Sequence, residues 1–335
     1  MRNGHLSLLS VLYVAIFLCS GCGMPDPEVE GGVYGVTFVL DGGGTEKTRS
    51  TAVRDEAYLR EWCLYIVDVD GAVFETVPVS GSPYAIGNYP AGMYKAYAVV
   101  NCGVPEGDFA TEEEIKSVRR FLEDESSAFS MFGSCEFSVP EDIVCSIPIS
   151  RLVSKVEIDE VRTDFSQSPY LNAGPFTIDS MYLINVAGES ALSDADTFLP
   201  VTWYNKRGYN PNEADALLCD AVSKAVAPDV PYATSHYFYC YQNRSASDSH
   251  TDTWSPRHTR LVIECTVAGR KTYYPIDIVS EDGTLERNCR YLIKELVITD
   301  LGVDRPDEPL SGPLPCRFST VIVPWDTTFL ISEEF

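Results

Sequence analysis

Basic residues are scarce in this chain. Its 335 residues include 25 Lys and Arg against 49 Asp and Glu, a formal net charge of −24. Nucleic-acid binding needs clustered cations to neutralise phosphates, and a polybasic membrane patch needs the same, so both functions are excluded. Histidine is scarcer still, with four residues: His5 falls in the N-terminal apolar stretch and His250 in a Ser/Asp-rich loop, without the spaced partner that a metal site requires. The G-x-S-x-G elbow, the P-loop and the dinucleotide fingerprint are all missing. Asp and Glu are so abundant that no carboxylate pair can be singled out as a glycosidase dyad. An enzyme is therefore not expected, nor is any catalytic residue, metal or cofactor.

Beyond the N-terminus no apolar run is long enough to cross a bilayer as a helix. At the N-terminus, Arg2 precedes an apolar stretch from Leu6 to Cys19 that is too short to span and reads as an export signal. It closes on Leu18-Cys19-Ser20-Gly21-Cys22. Small residues just before a cysteine form a lipobox pattern, in which Cys22 is acylated and becomes the first residue of the mature lipoprotein. The same letters hold a C-x-x-C pair, but a redox pair belongs at a helix N-terminus inside a folded domain. The acyl chains, palmitate among them, are then the expected anchor to the outer membrane. The cysteines that follow are Cys63, Cys102, Cys135, Cys145, Cys219, Cys240, Cys265, Cys289 and Cys316, with no C-x-x-C spacing among them. An exported location permits disulfides, but the spacing dictates no connectivity.

Apolar residues make up 45% of the chain and aromatics 11%, enough for a packed core. Residues 22–32 read as a polar tether after a signal peptide at 1–21. A strand follows with Tyr34, Val36, Phe38 and Leu40 on one face, and then Asp41 to Thr48, a loop with no apolar side chain that is open to proteases. Trp62–Val69 and Val73–Val79 flank Asp70-Gly71, which predicts a hairpin with a type I′ turn. Tyr94–Val100 is a further strand. Thr111-Glu-Glu-Glu114 forms a capping box, and Ile115, Val118, Phe121 and Leu122 predict the buried stripe of one helix. Pro140–Pro148 leads into a strand with Leu152, Val156 and Ile158 inward, and later strands are expected at 176–186, 198–204, 236–241, 260–267, 272–278 and 290–299. The pattern predicts a mostly antiparallel β protein of two sandwiches with one or two short helices, divided near 148 into domains 33–148 and 149–335.

The tail is the most informative stretch. Val321, Val323 and Trp325 recur at period two, Phe329 keeps the phase, and Pro324 marks a strand end. A strand withdrawn from a sandwich leaves unpaired backbone groups and an apolar groove, which an extended segment of this kind can fill by strand addition.

Several motifs recur in one order: the lipobox, Thr48-Arg49-Ser50 ahead of Glu56, Leu64-Tyr-Ile66-Val-Asp68, and Gly92-x-Tyr94-x-Ala96-x-Ala98-x-x-Asn101. Arg151-Leu-Val-Ser-Lys155-Val, Lys271-Thr-Tyr-Tyr274-Pro-Ile276, Leu285-Glu-Arg287-Asn288-x-x-Tyr291, Gly302-x-x-x-Pro306-x-x-Pro309 and the Val321-x-Val323-x-Trp325 tail follow. In that order the chain resembles the fimbrillins, subunits of the lipoprotein-derived (type V) pili of Gram-negative gut and oral anaerobes. The resemblance implies two transthyretin-like sandwiches and a lipidated precursor carried to the outer membrane. It also implies an arginine-specific protease that cuts in the loop after the first strand, here between Arg49 and Ser50, with Arg54 as the alternative. The first strand, with Tyr34, Val36, Phe38 and Leu40, would leave, and the tail of the next subunit would replace it in a head-to-tail fimbria at the cell surface. Stalk, tip and accessory positions all fit, the last two with a host or bacterial surface ligand; the cysteine content sits poorly with a stalk. The rival from another class is an outer-membrane lipoprotein that binds glycans on the aromatics of 198–209 and 236–241.

Overall fold

The computed structural model describes residues 33–325 apart from 42–55, 57–58, 104–108, 143, 173, 195–196, 229, 246–252 and 311–313. Cys22, Arg49, Ser50, Arg54 and Phe329 lie outside the described residues.

The described residues between 33 and 151 build one curled sheet. Its strands are β1 (Tyr34–Asp41), β2 (Trp62–Val67), β3 (Val73–Val79), β4 (Tyr84–Tyr89) and β5 (Gly92–Val100). After α1 (Glu112–Lys116), β6 (Arg119–Phe121) and a 3-10 turn (Leu122–Ser126) come β7 (Met131–Val139) and β8 (Val144–Arg151). The order is β3-β2-β5-β7-β8-β1-β4. β7 meets β8 only from Met131 to Gly133, against Ile149 to Arg151, so the sheet folds back on itself there. Phe38 of β1 then packs edge-on against Phe137 of β7 at 5.3 Å, and Trp62 of β2 against Tyr84 of β4 at 6.5 Å.

β2 is buried along its whole length, which explains its unbroken apolar run. Trp62, Leu64 and Ile66 face the core shared with β1. Cys63, Tyr65 and Val67 face the other way, into the larger core that continues through the rest of the molecule.

That second part comprises β9 (Val153–Thr163), β10 (Phe176–Ile184), β11 (Val186–Ala187), β12 (Glu189–Ala191), β13 (Trp203–Tyr204), α2 (Asp215–Leu218), β14 (Cys219–Val226), β15 (Tyr232–Tyr241), β16 (Arg260–Val267), β17 (Arg270–Asp277), β18 (Cys289–Ile298) and β19 (Cys316–Pro324). Two four-stranded sheets, β14-β10-β16-β17 and β15-β9-β18-β19, enclose a core of Val156, Ile158, Ile178, Met181, Phe238, Ile263, Tyr291 and Ile293. The architecture is the expected mostly-β, sandwich-like one, with two short α-helices among the described residues.

Three expectations need correction, and one holds with exceptions. The sheets are mostly antiparallel, but β1 runs parallel to β8, and β9 parallel to β18. Pairing of strands so far apart in sequence leaves no local signature. The helix after Thr111 has its capping box but stops at Lys116, because Arg119–Phe121 leaves to pair with Glu189–Ala191. Phe121 is consequently exposed, while Ile115 and Leu122 stay in the core. The turn at Asp70-Gly71 is not type I′, since of the two residues only Gly71 has a positive φ (83°). The Asp68 carboxylate organises it instead, accepting from the amides of Asp70 and Ala72 at 2.9 Å each. The 198–204 strand shrinks to Trp203–Tyr204, with Leu199 and Val201 exposed before it.

All nine cysteines named above are free thiols. Burial raises the Cys102 and Cys240 thiols to about 12, so both behave as small apolar side chains.

Candidate strand-exchange site

Alternation places Val36, Phe38 and Leu40 on the inner face of β1, where each is buried; Tyr34 is half-buried at the start of the strand. β1 is not an edge strand. Thr37–Asp41 pairs with Val144–Pro148 of β8 on one side, and Tyr34–Phe38 pairs with β4 on the other, from Tyr89 to Tyr84. The strand to be withdrawn is thus an interior one, with β4 outside it. Withdrawing β1 would leave a slot with two backbone walls. Its three buried side chains are worth roughly 5–9 kcal/mol by area alone, before the entropy of ordering the strand.

β19 differs in every respect. Among the described residues it lies at the end of its sheet and pairs only with β18, from Cys289↔Pro324 to Ile298↔Cys316, with an irregularity between Ile293 and Leu296. Val321 is half-buried, whereas Phe318 (40%), Ile322 (37%) and Val323 (38%) are exposed. Apolar side chains open to solvent on both faces of an unpaired edge form a template for another chain. The strand ends at Pro324, where a missing N–H costs nothing.

Trp325, just beyond, fixes the end of the strand. Its amide donates to the Asn288 carbonyl at 2.8 Å. Its ring stacks on Tyr239 at 5.8 Å and 14°, meets Phe129 edge-on at 5.8 Å, and lies 4.5 Å under the Arg151 guanidinium. Of Val321, Val323 and Trp325, only Trp325 is fully packed.

The same arginine holds a segment far away in sequence. Arg151 donates from Nε and Nη2 to the Glu56 carbonyl oxygen at 3.0 and 2.6 Å. The Glu56 carboxylate accepts from Lys155 Nζ at 2.8 Å and from the Tyr239 hydroxyl at 2.7 Å. Asn288, at a positive φ of 52°, accepts from the Arg151 amide on its side-chain oxygen and donates its own amide to Val153. Residues from four of the motif segments, Glu56, Arg151 with Lys155, Asn288 and Trp325, thus converge on one cluster. In the sequence only Trp325 has an assigned place, in the tail, and nothing joins it to the other three; the one hint is a basic pair inside the apolar run Arg151-Leu-Val-Ser-Lys155-Val.

β1 and β19 belong to different sheets and share no ladder. The 236–241 stretch is no surface platform: Phe238, Tyr239 and Tyr241 are core residues. Among the described residues no group of His, Cys, Asp and Glu could hold a metal ion, and no helix is long and apolar enough to cross a membrane.

No family model and no curated protein matches the sequence. Solved structures do. A cell-adhesion candidate from Bacteroides eggerthii superposes with a TM-score of 0.64 at 19% identity, covering 90% of this chain and 98% of that one. A fimbrilin from Porphyromonas gingivalis gives 0.61 at 14%, covering 88% and 98%. The tip fimbrial protein of the same organism, with a C-terminal truncation, gives 0.51 at 11%, covering 85% and 99%. At these identities the likeness is one of fold, and it extends over nearly the whole of each structure.

Proposed function

We propose that this chain is a structural, non-catalytic subunit of a cell-surface fimbria that polymerises by strand exchange. The observation that carries the proposal is an imbalance between two strands. Among the described residues β19 has one backbone neighbour and leaves Phe318, Ile322 and Val323 in water, whereas the seat of β1 offers two neighbours and an apolar floor. A tail that moves from the first setting to a vacated second one gains a second ladder and buries a face. Repeated from molecule to molecule, the exchange is a heterologous contact that does not close, which makes a filament. The shared fold with a fimbrilin and a tip fimbrial protein supports the same reading.

In this scheme the precursor is exported, acylated on Cys22 and held at the outer membrane. An arginine-specific protease cuts between Arg49 and Ser50, and the 22–49 segment departs with its lipid and with Tyr34, Val36, Phe38 and Leu40. Val321, Val323, Trp325 and Phe329 of the next subunit then fill the slot. Glu56 gives a physical reason for preferring Arg49 to Arg54. Arg151 and Lys155 clamp Glu56, so the chain stays anchored from that point onward, and a protease needs slack on both sides of its bond. Residues 33–148 and 149–335 act as the acceptor and donor domains. The partners are other subunits, the protease and, before cleavage, the outer membrane.

The test is N-terminal sequencing of the protein recovered from surface filaments. A start at Ser50 is the expected result. An intact acylated Cys22 on polymerised subunits would overturn the scheme.

A further inference from the structure

A cleft of about 690 Å³ opens where β13 runs into the loop that follows it, with Trp254 on its far side. Trp203, Tyr204, Lys206, Arg207, Tyr209 and Trp254 supply most of its side-chain wall. Trp203 and Trp254 stand 5.6 Å apart at 62°, forming two walls of a corner.

The polar end of each ring is engaged elsewhere. Trp203 Nε1 donates to the Pro200 carbonyl at 3.1 Å and Trp254 Nε1 to Asn185 at 3.1 Å. The hydroxyls of Tyr204 and Tyr209 donate to Glu123 at 2.6 Å and Asp215 at 2.9 Å. What the rings offer to the cleft is therefore apolar faces and edges in fixed positions.

The loop itself is built rather than loose. Asn205 is buried at a positive φ of 49° and donates to the Leu183 carbonyl at 2.8 Å. Its side-chain oxygen accepts from the Asn210 amide at 3.0 Å and from Asn212 at 3.2 Å. A Cβ on Gly208 would come within 2.8 Å of the Pro306 ring, which holds the base of the loop.

Charge is the second independent observation. The chain carries a net charge of −24, yet among the described residues the cleft lining holds Lys206 and Arg207 and no Asp or Glu; Glu123 and Asp215 lie behind it, on the Tyr204 and Tyr209 hydroxyls. Both cations are exposed, and Lys206 Nζ sits 4.9 Å from the centre of the Trp254 ring.

We infer that this cleft binds an acidic saccharide, with the C–H face of a sugar ring on Trp254 and Tyr209 and its carboxylate on Lys206 and Arg207. Pyranose rings present an apolar face to aromatic walls while their hydroxyls stay in water, and a carboxylated sugar adds a negative charge that the Lys206 and Arg207 side chains of the lining can pair with. The volume lies within the range of ordinary ligand sites and gives room for a short oligosaccharide. The inference rests on the cleft alone and holds whether or not the chain polymerises.

The test titrates the full folded chain with sialyllactose, a glucuronate-containing disaccharide and neutral lactose, read by tryptophan fluorescence and calorimetry. At least one acidic probe is expected to bind with a dissociation constant of about 1 mM or tighter, and about tenfold tighter than lactose. Sialyllactose alone would point to a sialylated surface glycan, the glucuronate probe alone to a uronate polysaccharide, and both would mean that the carboxylate is what is read. The double variant Lys206→Ala with Arg207→Ala alters only exposed side chains and should abolish the preference for the acidic probe. Trp254→Ala should weaken both acidic and neutral binding, with circular dichroism confirming that the fold survives. Equal binding of acidic and neutral probes, no binding of either, or indifference to the double variant would overturn the inference.

Discussion

β1 and β19 are strands of similar length whose burial could hardly differ more. β1 spans eight residues between two neighbours, with Val36, Phe38 and Leu40 sealed in a core. β19 spans nine at the end of a sheet, with three of its four large apolar side chains exposed and its two ends held by buried Cys316 and by Trp325 just beyond it. The contrast shows which of the two is stable where it is. A strand flanked on both sides is held by two ladders, an edge strand by one. In the proposed exchange this asymmetry is what would set the direction.

The largest expected effect tests the cut. Arg49→Gln should leave the precursor full-length and reduce filaments to background, seen as loss of the heat-sensitive ladder on gels and of fibres by electron microscopy. Persistent cleavage in that variant would move the cut to Arg54.

Arg151 should come next. Removing it leaves the Glu56 carbonyl without its donor and uncovers Trp325, so Arg151→Ala should destabilise the chain by about 3–5 kcal/mol in chemical denaturation, as for other broken buried charge contacts. Trp325→Ala should cost less globally, about 2–4 kcal/mol, because the edge strand can fray in its place. Hydrogen exchange would show the difference as fast amides confined to Cys316–Pro324.

The smallest effect is a pH dependence beside the acceptor sheet. Burial raises the Glu112 pKa, but hydrogen bonds from Lys116 and Tyr97 and the charge of Lys95 outweigh it and lower the pKa from 4.5 to about 2. A carboxylate depressed in this way contributes stability that is fully present above the unfolded value of 4.5 and lost as pH falls toward 2. Glu112→Gln should lower stability near neutral pH, where the wild-type contribution is fully present, and flatten the profile within that window, so that the two curves converge near pH 2.

Much of the architecture is legible in the sequence wherever one side of a strand is wet. β1 announces itself by alternation, and the Trp62–Val79 hairpin by its Asp-Gly turn. Legibility fails where non-local pairing decides. β14 reads poorly because Asp220, Ser223 and Lys224 dilute its pattern, and it forms because β10 offers an edge. The helix predicted through Leu122 loses its second half to a partner about 70 residues on. The Trp325 cluster is the clearest case. Its members come from Glu56, Arg151, Tyr239 and Asn288, and no periodicity links an arginine to a carbonyl 95 residues away.

The most direct measurement is hydrogen exchange on protein clipped after Arg49 and truncated after Cys316, with and without a peptide of residues 316–335. Strand exchange predicts that amides of Tyr84–Tyr89 and Val144–Arg151 lose protection when β1 departs and regain it when the peptide is added. Protection that survives the loss of β1, or that the peptide fails to restore, would contradict it.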